Sequence, residues 1–597
     1  MLIHESTREF IFAVKRNRLH IRVQCSEKSQ INISIFYWNR FHSSEISSKQ
    51  MTCVGADSDR LYFEAELSFD ETAQYIQYYF VADHDGILEF WGRSGRESAR
   101  PKYYFEYLAT AENDILAPPA WASGSVWYQI FPERYDDGDP ENNPQNVEPW
   151  GAKPTRENHF GGDLAGIYKK VPYLKKLGVD VLYMTPVFSS PSNHKYDTTD
   201  YFEIDPAFGT TQDLIHLVQE CHANGIKVIL DGVFNHIGFS SKQFQDVVEK
   251  GARSEFADWF YIKDYPIQTD PLNYECVGYY KWMPKLRYKT QAVRDYILRV
   301  GRYWIETADI DGWRLDVADE VDFTFWQEFR REMKRVKPDA FLLAETWKDG
   351  RDMLRGDQMD SVMNYLFRDA VLDFFARQEI DAKTFEHRLS QMLYGYSAAV
   401  RPVLYNLLGS HDTARLLTEC GGNLNQLKLA AAFQITFSGM PAIYYGDEIG
   451  MDGENDPDCR KTMAWDMQND DLLRYYEQLI SLRHQTPSLQ FGDLKFVYAE
   501  HNVIAFARTY NAETTYAIFN NTTQEQTVCI PVLGDADEIA WMQTSIDCQL
   551  SAERSVDAQS ENAESCWQYN SIFKAKLKPF SFGTIIFWNK KARKSSF

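Results

Sequence analysis

The sequence predicts an α/β protein built on a (β/α)8 TIM barrel with an inserted subdomain after the third strand. An N-terminal β-sandwich precedes the barrel and a C-terminal antiparallel β-domain follows it. Three observations predict this order. Short alternating strands split by polar turns fill residues 1–120, strand–helix alternation fills 121–489, and period-two alternation returns over 490–597. The chain of 597 residues is long enough for roughly two to four domains.

In the first region, RLHIRVQC (18–25) sets Leu19, Ile21, Val23 and Cys25 on one face and His20, Arg22 and Gln24 on the other. INISIFYW, LYFEAELSF and YIQYYFVAD follow, and the stiff APPA (117–120) closes the region. The aromatic-rich IFYWNRF and YIQYYF fit either a contact surface or the domain's own core.

From Trp121 onward seven strands are legible: VWYQIFP, VDVLYMTPVF, IKVILDGVF, IDGWRLDV, AFLLAETW, VLYNLLGS and PAIYYGDE. Helical stretches separate them. TTQDLIHLVQECHANG has Thr210 or Thr211 to cap its start and Gly225 to end it, and QAVRDYILRVGRYWIETA and EVDFTFWQEFRREMKRVKP are two more. A doubly wound sheet would alternate in the same way, but the Gly-rich first turn it usually carries is missing. The longest insertion, 236–290, lies between the third strand and its helix. NVIAFARTY, TTYAIFNN and QTVCIPV begin the last domain, and the basic tail NKKARK reads as solvated.

Composition narrows the function. A net charge of −22 argues against a nucleic-acid partner, which needs a basic face. No run of about 18–20 apolar residues suggests a membrane span, and Glu5, Arg8 and Glu9 break the N-terminus too early for a signal peptide. Nine scattered Cys with no CxxC point to reduced thiols and a cytoplasmic location. Aromatics at 15% suit a sugar ligand as well as they suit a core.

ADIDGWRLDVADE (308–320) carries the first chemical signal. Trp313, Leu315 and Val317 share one strand face, and Arg314 and Asp316 share the other. Parallel strands covered on both faces normally read as continuous apolar runs, so the charged pair needs a reason. Other strands also finish in polar groups: Asp231, Asn235 and His236; Glu345; His411 and Asp412. In a barrel such ends converge on one mouth. Retaining glycosidases need a carboxylate nucleophile and a protonated carboxyl acid about 5–5.5 Å apart. Arg314 is expected to keep Asp316 ionised as the nucleophile. Glu345, in apolar FLLAETW with no adjacent cation, suits the acid/base.

DGVFNH, DGWRLDVADE, LLAETW and GSHD resemble, in order, four signature regions of glycoside hydrolase family 13, the α-amylase family. MPKLR (283–287) and DVADEVD are similar to MPKLN and DVANEVD of its neopullulanase, cyclomaltodextrinase and maltogenic amylase branch. The resemblance implies Asp316 as nucleophile, Glu345 as acid/base and Asp412 as a third carboxylate binding sugar hydroxyls. It implies Arg314, His236, His411 and Tyr196 around the reacting sugar and Asp231 in support, with His194 and Trp347 as further contacts. It also implies a structural Ca2+ held by Asp137, Asp139, Asn142, Asn143, Gly161 and Asp163, the hard oxygen donors such an ion takes.

The chain departs from the branch at Asp319 and Arg287, both near the expected acceptor side. Implied substrates are cyclodextrins, maltooligosaccharides, pullulan and starch, with α-1,6 cleavage and transglycosylation left open. A glucanotransferase or isomerase would share the same residues. The implied assembly is a homodimer through the N-terminal domain, with no nucleic-acid or membrane partner.

Overall fold

The computed structural model describes residues 1–26, 31–42, 44–112, 115–467, 469–533, 542–544, 551–555 and 572–588. The tail NKKARK lies outside them.

Eight parallel strands form the central sheet: β1 (Trp127–Ile130), β2 (Val181–Met184), β3 (Lys227–Gly232), β4 (Gly312–Leu315), β5 (Phe341–Ala344), β6 (Ser361–Val362), β7 (Tyr405–Leu407) and β8 (Met440–Tyr444). Neighbours pair in the order β6-β5-β4-β3-β2-β1-β8-β7, and a parallel bridge between Met363 and Tyr405 closes the circle. β6, two residues long, is the strand that the sequence pattern does not show. The strands are buried on both faces, and the apolar side chains of β2, β3 and β5 join one core with the surrounding helices.

The helices follow their capping chemistry. Thr210 caps Thr211–Ala223 in a reciprocal box with Asp213, and Asn224 ends that helix, with Gly225 one residue beyond at φ +77°. Asp163 caps Leu164–Leu177, which stops at left-handed Gly178. Gln291–Ala308 and Phe323–Val336 flank β4 in sequence. The insertion between β3 and Gln291–Ala308 contains the short helix Lys242–Lys250.

The N-terminal region is two antiparallel sheets enclosing Leu19, Ile21, Val23, Ile33, Ile35, Phe63, Tyr78 and Phe80. Its aromatic strands divide between two faces. Ile35, Tyr78 and Phe80 fill the core, while Trp38, Tyr79 and Val81 form a separate outer cluster with Phe36, Phe90 and Tyr104.

The polar face of Arg18–Cys25 is buried against the barrel. Arg22 donates from Nη1 to the Tyr394 carbonyl and from Nη2 to that of Tyr396, each at 2.6 Å, and from Nε to Glu64 at 3.0 Å. Glu64 also pairs with Arg401. At the other end, Phe506 and Phe519 of the C-terminal antiparallel sheet pack on Phe433 of the barrel helix Leu424–Thr436.

Candidate active site

The carboxyl ends of five strands deliver polar side chains to one mouth of the barrel. Gln129 lies on β1, Asp231 on β3 and Arg314 on β4. Asn235 and His236 follow β3, Asp316 follows β4, Glu345 follows β5, and His411 and Asp412 follow β7.

Arg314 is fully buried at the centre. Its Nη1 lies 2.9 Å from both Asp231 oxygens and 2.8 Å from Asp316 Oδ1, and its Nη2 lies 2.8 Å from Glu345 Oε2. A guanidinium offers donors in a planar fork, so one residue fixes three carboxylates relative to each other. This corrects the expectation in two respects. Glu345 does have a cation beside it. Burial, reinforced by Glu345 and Asp231, also outweighs Arg314 at Asp316, so the Asp316 carboxyl is pushed well up rather than down. Asp231 is pushed up to about 6, by burial acting against Arg314. One guanidinium thus faces three buried carboxylates, and at Asp316 and Asp231 burial acts against it.

β4 ends at Leu315, and Val317 does not continue it. Val317 adopts φ 44°, ψ 46°, in the left-handed region, at a strain of about 1–3 kcal/mol for a β-branched residue. The turn aims the Val317 N–H at Glu345 Oε2, to which it donates at 2.9 Å. The Trp347 indole N–H donates to Oε1 at 3.2 Å. With Arg314 and Val317 both at Oε2, a proton on Glu345 belongs on Oε1. Trp347 stacks on Tyr365 at 4.2 Å and stays 51% exposed, which leaves ring surface for a ligand.

Around this centre runs a chain of neutral groups. Gln129 donates to His411 Nδ1 at 2.7 Å, which places the ring proton on Nε2, facing Tyr196 Oη at 2.6 Å and Asp412 Oδ2 at 3.0 Å. Tyr196 donates to Asp231 Oδ2 at 3.0 Å and stacks on His411 at 5.3 Å. His236 donates from Nε2 to the Tyr196 carbonyl at 3.1 Å, and its buried Nδ1 has no protein partner. His194 accepts the Tyr196 N–H on Nδ1 at 3.1 Å. Burial lowers His411 well below its ordinary range and lowers His194 and His236 to about 4, so all three are neutral hydrogen-bonding groups near pH 7.

The structure adds Arg460 and Asp456, which the sequence reading missed. Arg460 donates to Asp412 Oδ1 at 3.2 Å and to the His411 carbonyl at 2.8 Å, and lies 3.0 Å from Asp456 Oδ1. The only local sign is an i,i+4 charge pair in a loop. Asp319 accepts from Thr346 Oγ1 at 3.3 Å, beside Glu345, whereas Arg287 turns to Asp258 within the insertion, 3.7 Å away.

The loop after β1 gathers all six residues of the implied cation site. Asp137 Oδ1, Asn142 Oδ1 and Asn143 Oδ1 are buried with no hydrogen-bond partner. Gly161, at φ +85°, comes so close that a Cβ there would meet Asn143 Oδ1 at 2.1 Å. Asp139 Oδ1 accepts the Glu141 N–H at 3.2 Å. Asp163 accepts the Gly138, Asp139 and Gly166 N–H groups and the Asn142 amide, so its four bonds brace the loop. Among the described residues no group of three or more His, Cys, Asp or Glu could hold a metal alone, so a cation here depends on amide and main-chain oxygens.

A family model described as "Alpha amylase, catalytic domain" matches residues 129–478, and one described as "Alpha amylase, N-terminal ig-like domain" matches residues 1–111. A cyclomaltodextrinase of Thermoanaerobacter pseudethanolicus is 41% identical over 550 residues, covering 91% of this chain and 96% of that protein. Neopullulanase 2 of Thermoactinomyces vulgaris is 42% identical over 541 residues, covering 89% and 92%. A solved cyclomaltodextrinase structure matches with a TM-score of 0.88 at 36% identity, over 98% of this chain and 99% of that one.

Proposed function

Because the chain belongs to the α-amylase family, in its cyclomaltodextrinase, neopullulanase and maltogenic amylase branch, we propose that it is a retaining hydrolase of α-1,4-glucosidic bonds. Its substrates in this reading are cyclodextrins and maltooligosaccharides, with pullulan and starch as larger alternatives. The observation that carries it is the single guanidinium of Arg314 holding Asp316 and Glu345 together.

In the first step an Asp316 oxygen attacks the anomeric carbon. With Oδ1 held by Arg314, the attacking oxygen is Oδ2. The Glu345 Oε1 proton passes to the glycosidic oxygen, which leaves with the bonding pair. Glu345, now ionised, then takes a proton from water, whose oxygen displaces Asp316 and restores the original anomeric configuration. Asp412, oriented by His411 and Arg460, accepts hydrogen bonds from sugar hydroxyls, and Tyr196 offers a ring face beside them. A time course of products from β-cyclodextrin, soluble starch and pullulan tests this. Reducing sugar appearing from maltotriose separates hydrolysis from glucan transfer or isomerisation.

Three further parts of the proposal have separate support. A structural Ca2+ is supported by the three orphaned oxygens of Asp137, Asn142 and Asn143, with Asp139 and the Gly161 carbonyl as further donors and Asp163 bracing the loop beside them through its four hydrogen bonds. Bound there, the ion ties the loop after β1 to the start of helix Leu164–Leu177. A homodimer through the N-terminal domain is supported by its exposed Phe41, Ile87, Leu88, Tyr103 and Leu108. A cytoplasmic location is supported by Cys221, Cys276, Cys420, Cys459 and Cys529, which are free thiols among the described residues. Among those residues no helix is long and apolar enough to cross a membrane.

A further inference from the structure

We infer that the aromatic turn Tyr279–Trp282 of the insertion is an outer binding platform for the leaving-group side of a long α-glucan chain. The inference rests on the catalytic reading above and extends it beyond the scissile bond.

The direction of the chain follows from the chemistry. The departing sugar takes the Glu345 proton, so it lies on the Glu345 side of the cleft. Thr346 adjoins Glu345 and donates to Asp319. The next residue, Glu320, receives a hydrogen bond from Lys285 at 3.0 Å. Lys285 pairs with His236 in an antiparallel bridge, and the Phe239 N–H donates to the Trp282 carbonyl at 2.8 Å. The wall beside the leaving group therefore continues without a break into the turn.

The turn is costly to the free protein. Tyr279, Tyr280 and Trp282 are 93%, 65% and 52% exposed, within four residues of one another. Gly278 and Tyr279 have φ of 52° and 65°, and a left-handed tyrosine is strained. Trp282 is nonetheless held in place, with Phe239 edge-on at 5.4 Å and Lys281 Nζ 4.8 Å from its ring centroid. A positioned cluster of exposed aromatic rings with hydroxyl and ammonium groups beside it matches a glucan. Sugar C–H faces pack on rings while hydroxyls find polar partners. Continuity with the cleft makes the occupant the substrate's own chain.

The test compares wild type with the Tyr280→Ala/Trp282→Ala double variant and a Tyr280→Phe/Trp282→Phe control. The readout is the ratio of kcat/KM for maltoheptaose to that for maltotriose. The expected result is a fall of about five-fold or more in that ratio for the alanine variant, with the phenylalanine control near wild type. An unchanged ratio in an alanine variant with wild-type Tm overturns the platform. A loss of dimer by light scattering with the ratio unchanged also overturns it, by assigning the turn to self-association. A wild type inactive on both sugars overturns the catalytic reading first, and the platform with it.

Discussion

Replacing Arg314 by lysine keeps a positive charge and removes the fork. A single ammonium cannot reach Asp231, Asp316 and Glu345 from one position, whereas Arg314 stands 2.8–2.9 Å from all three. If the lysine settles on Asp231, both reacting carboxylates lose a charge-assisted contact, each worth about 1.5–3 kcal/mol. The sum, about 3–6 kcal/mol, corresponds to a loss of roughly 10²- to 10⁴-fold in kcat. The assay is reducing-sugar release from β-cyclodextrin, with circular dichroism to show that the variant is folded. The pH profile gives a second readout. Burial already pushes Asp316 up and Arg314 opposes it, so losing the fork raises its pKa further. Asp316 must be ionised to attack, so the acid limb of kcat/KM moves to higher pH. A folded Arg314→Lys protein within ten-fold of wild-type kcat, with the acid limb unmoved, would refute this account of the site.

Four other outcomes are expected. Asp316→Asn and Glu345→Gln should each abolish turnover in a folded protein, and a tenth of wild-type activity in either pure variant would remove the assignment. Stripping with EDTA should lower Tm and added calcium should restore it, because a ligand bound only by the native state stabilises it; identical melting curves would leave the loop after β1 without an ion. Arg22→Ala should destabilise the junction of the N-terminal domain and the barrel by about 3–5 kcal/mol, since it strands two carbonyls and unbalances Glu64; a Tm within one degree or so of wild type would contradict this. Light scattering at assay concentration should give a homodimer that prefers β-cyclodextrin to soluble starch. A strict monomer with the same preference would sink the proposed dimer.

Much of the barrel was legible because its strands are apolar runs that end abruptly in charge, and because Thr210 and Gly225 punctuate a helix by local chemistry. What stayed hidden depends on long-range contacts. β6 has two residues, too few for any periodicity, and exists because Leu343 and Ala344 offer it an edge. Arg22 alternates with apolar neighbours like a solvent-facing residue, yet its partners lie more than 370 residues away on the barrel. At the site, residue types at strand ends revealed which side chains meet. They did not reveal that Arg314 also reaches Glu345, that Val317 turns left-handed to hold the same carboxylate, or that Arg460 orients Asp412 from the loop after β8. Each of these depends on where a neighbouring strand end stands in space. The upward shift of Asp316 likewise follows burial and the neighbouring carboxylates, which a sequence does not contain.

The central claim is that Asp316 attacks the sugar while Glu345 delivers the proton, so that two displacements restore the starting anomeric configuration. Proton NMR of the first maltooligosaccharides released from β-cyclodextrin, recorded faster than mutarotation, tests this most directly. The account predicts that the new reducing ends appear as the α-anomer and decay towards the equilibrium mixture. New reducing ends appearing first as the β-anomer would mean a single displacement by water, and would contradict the roles assigned to both carboxylates.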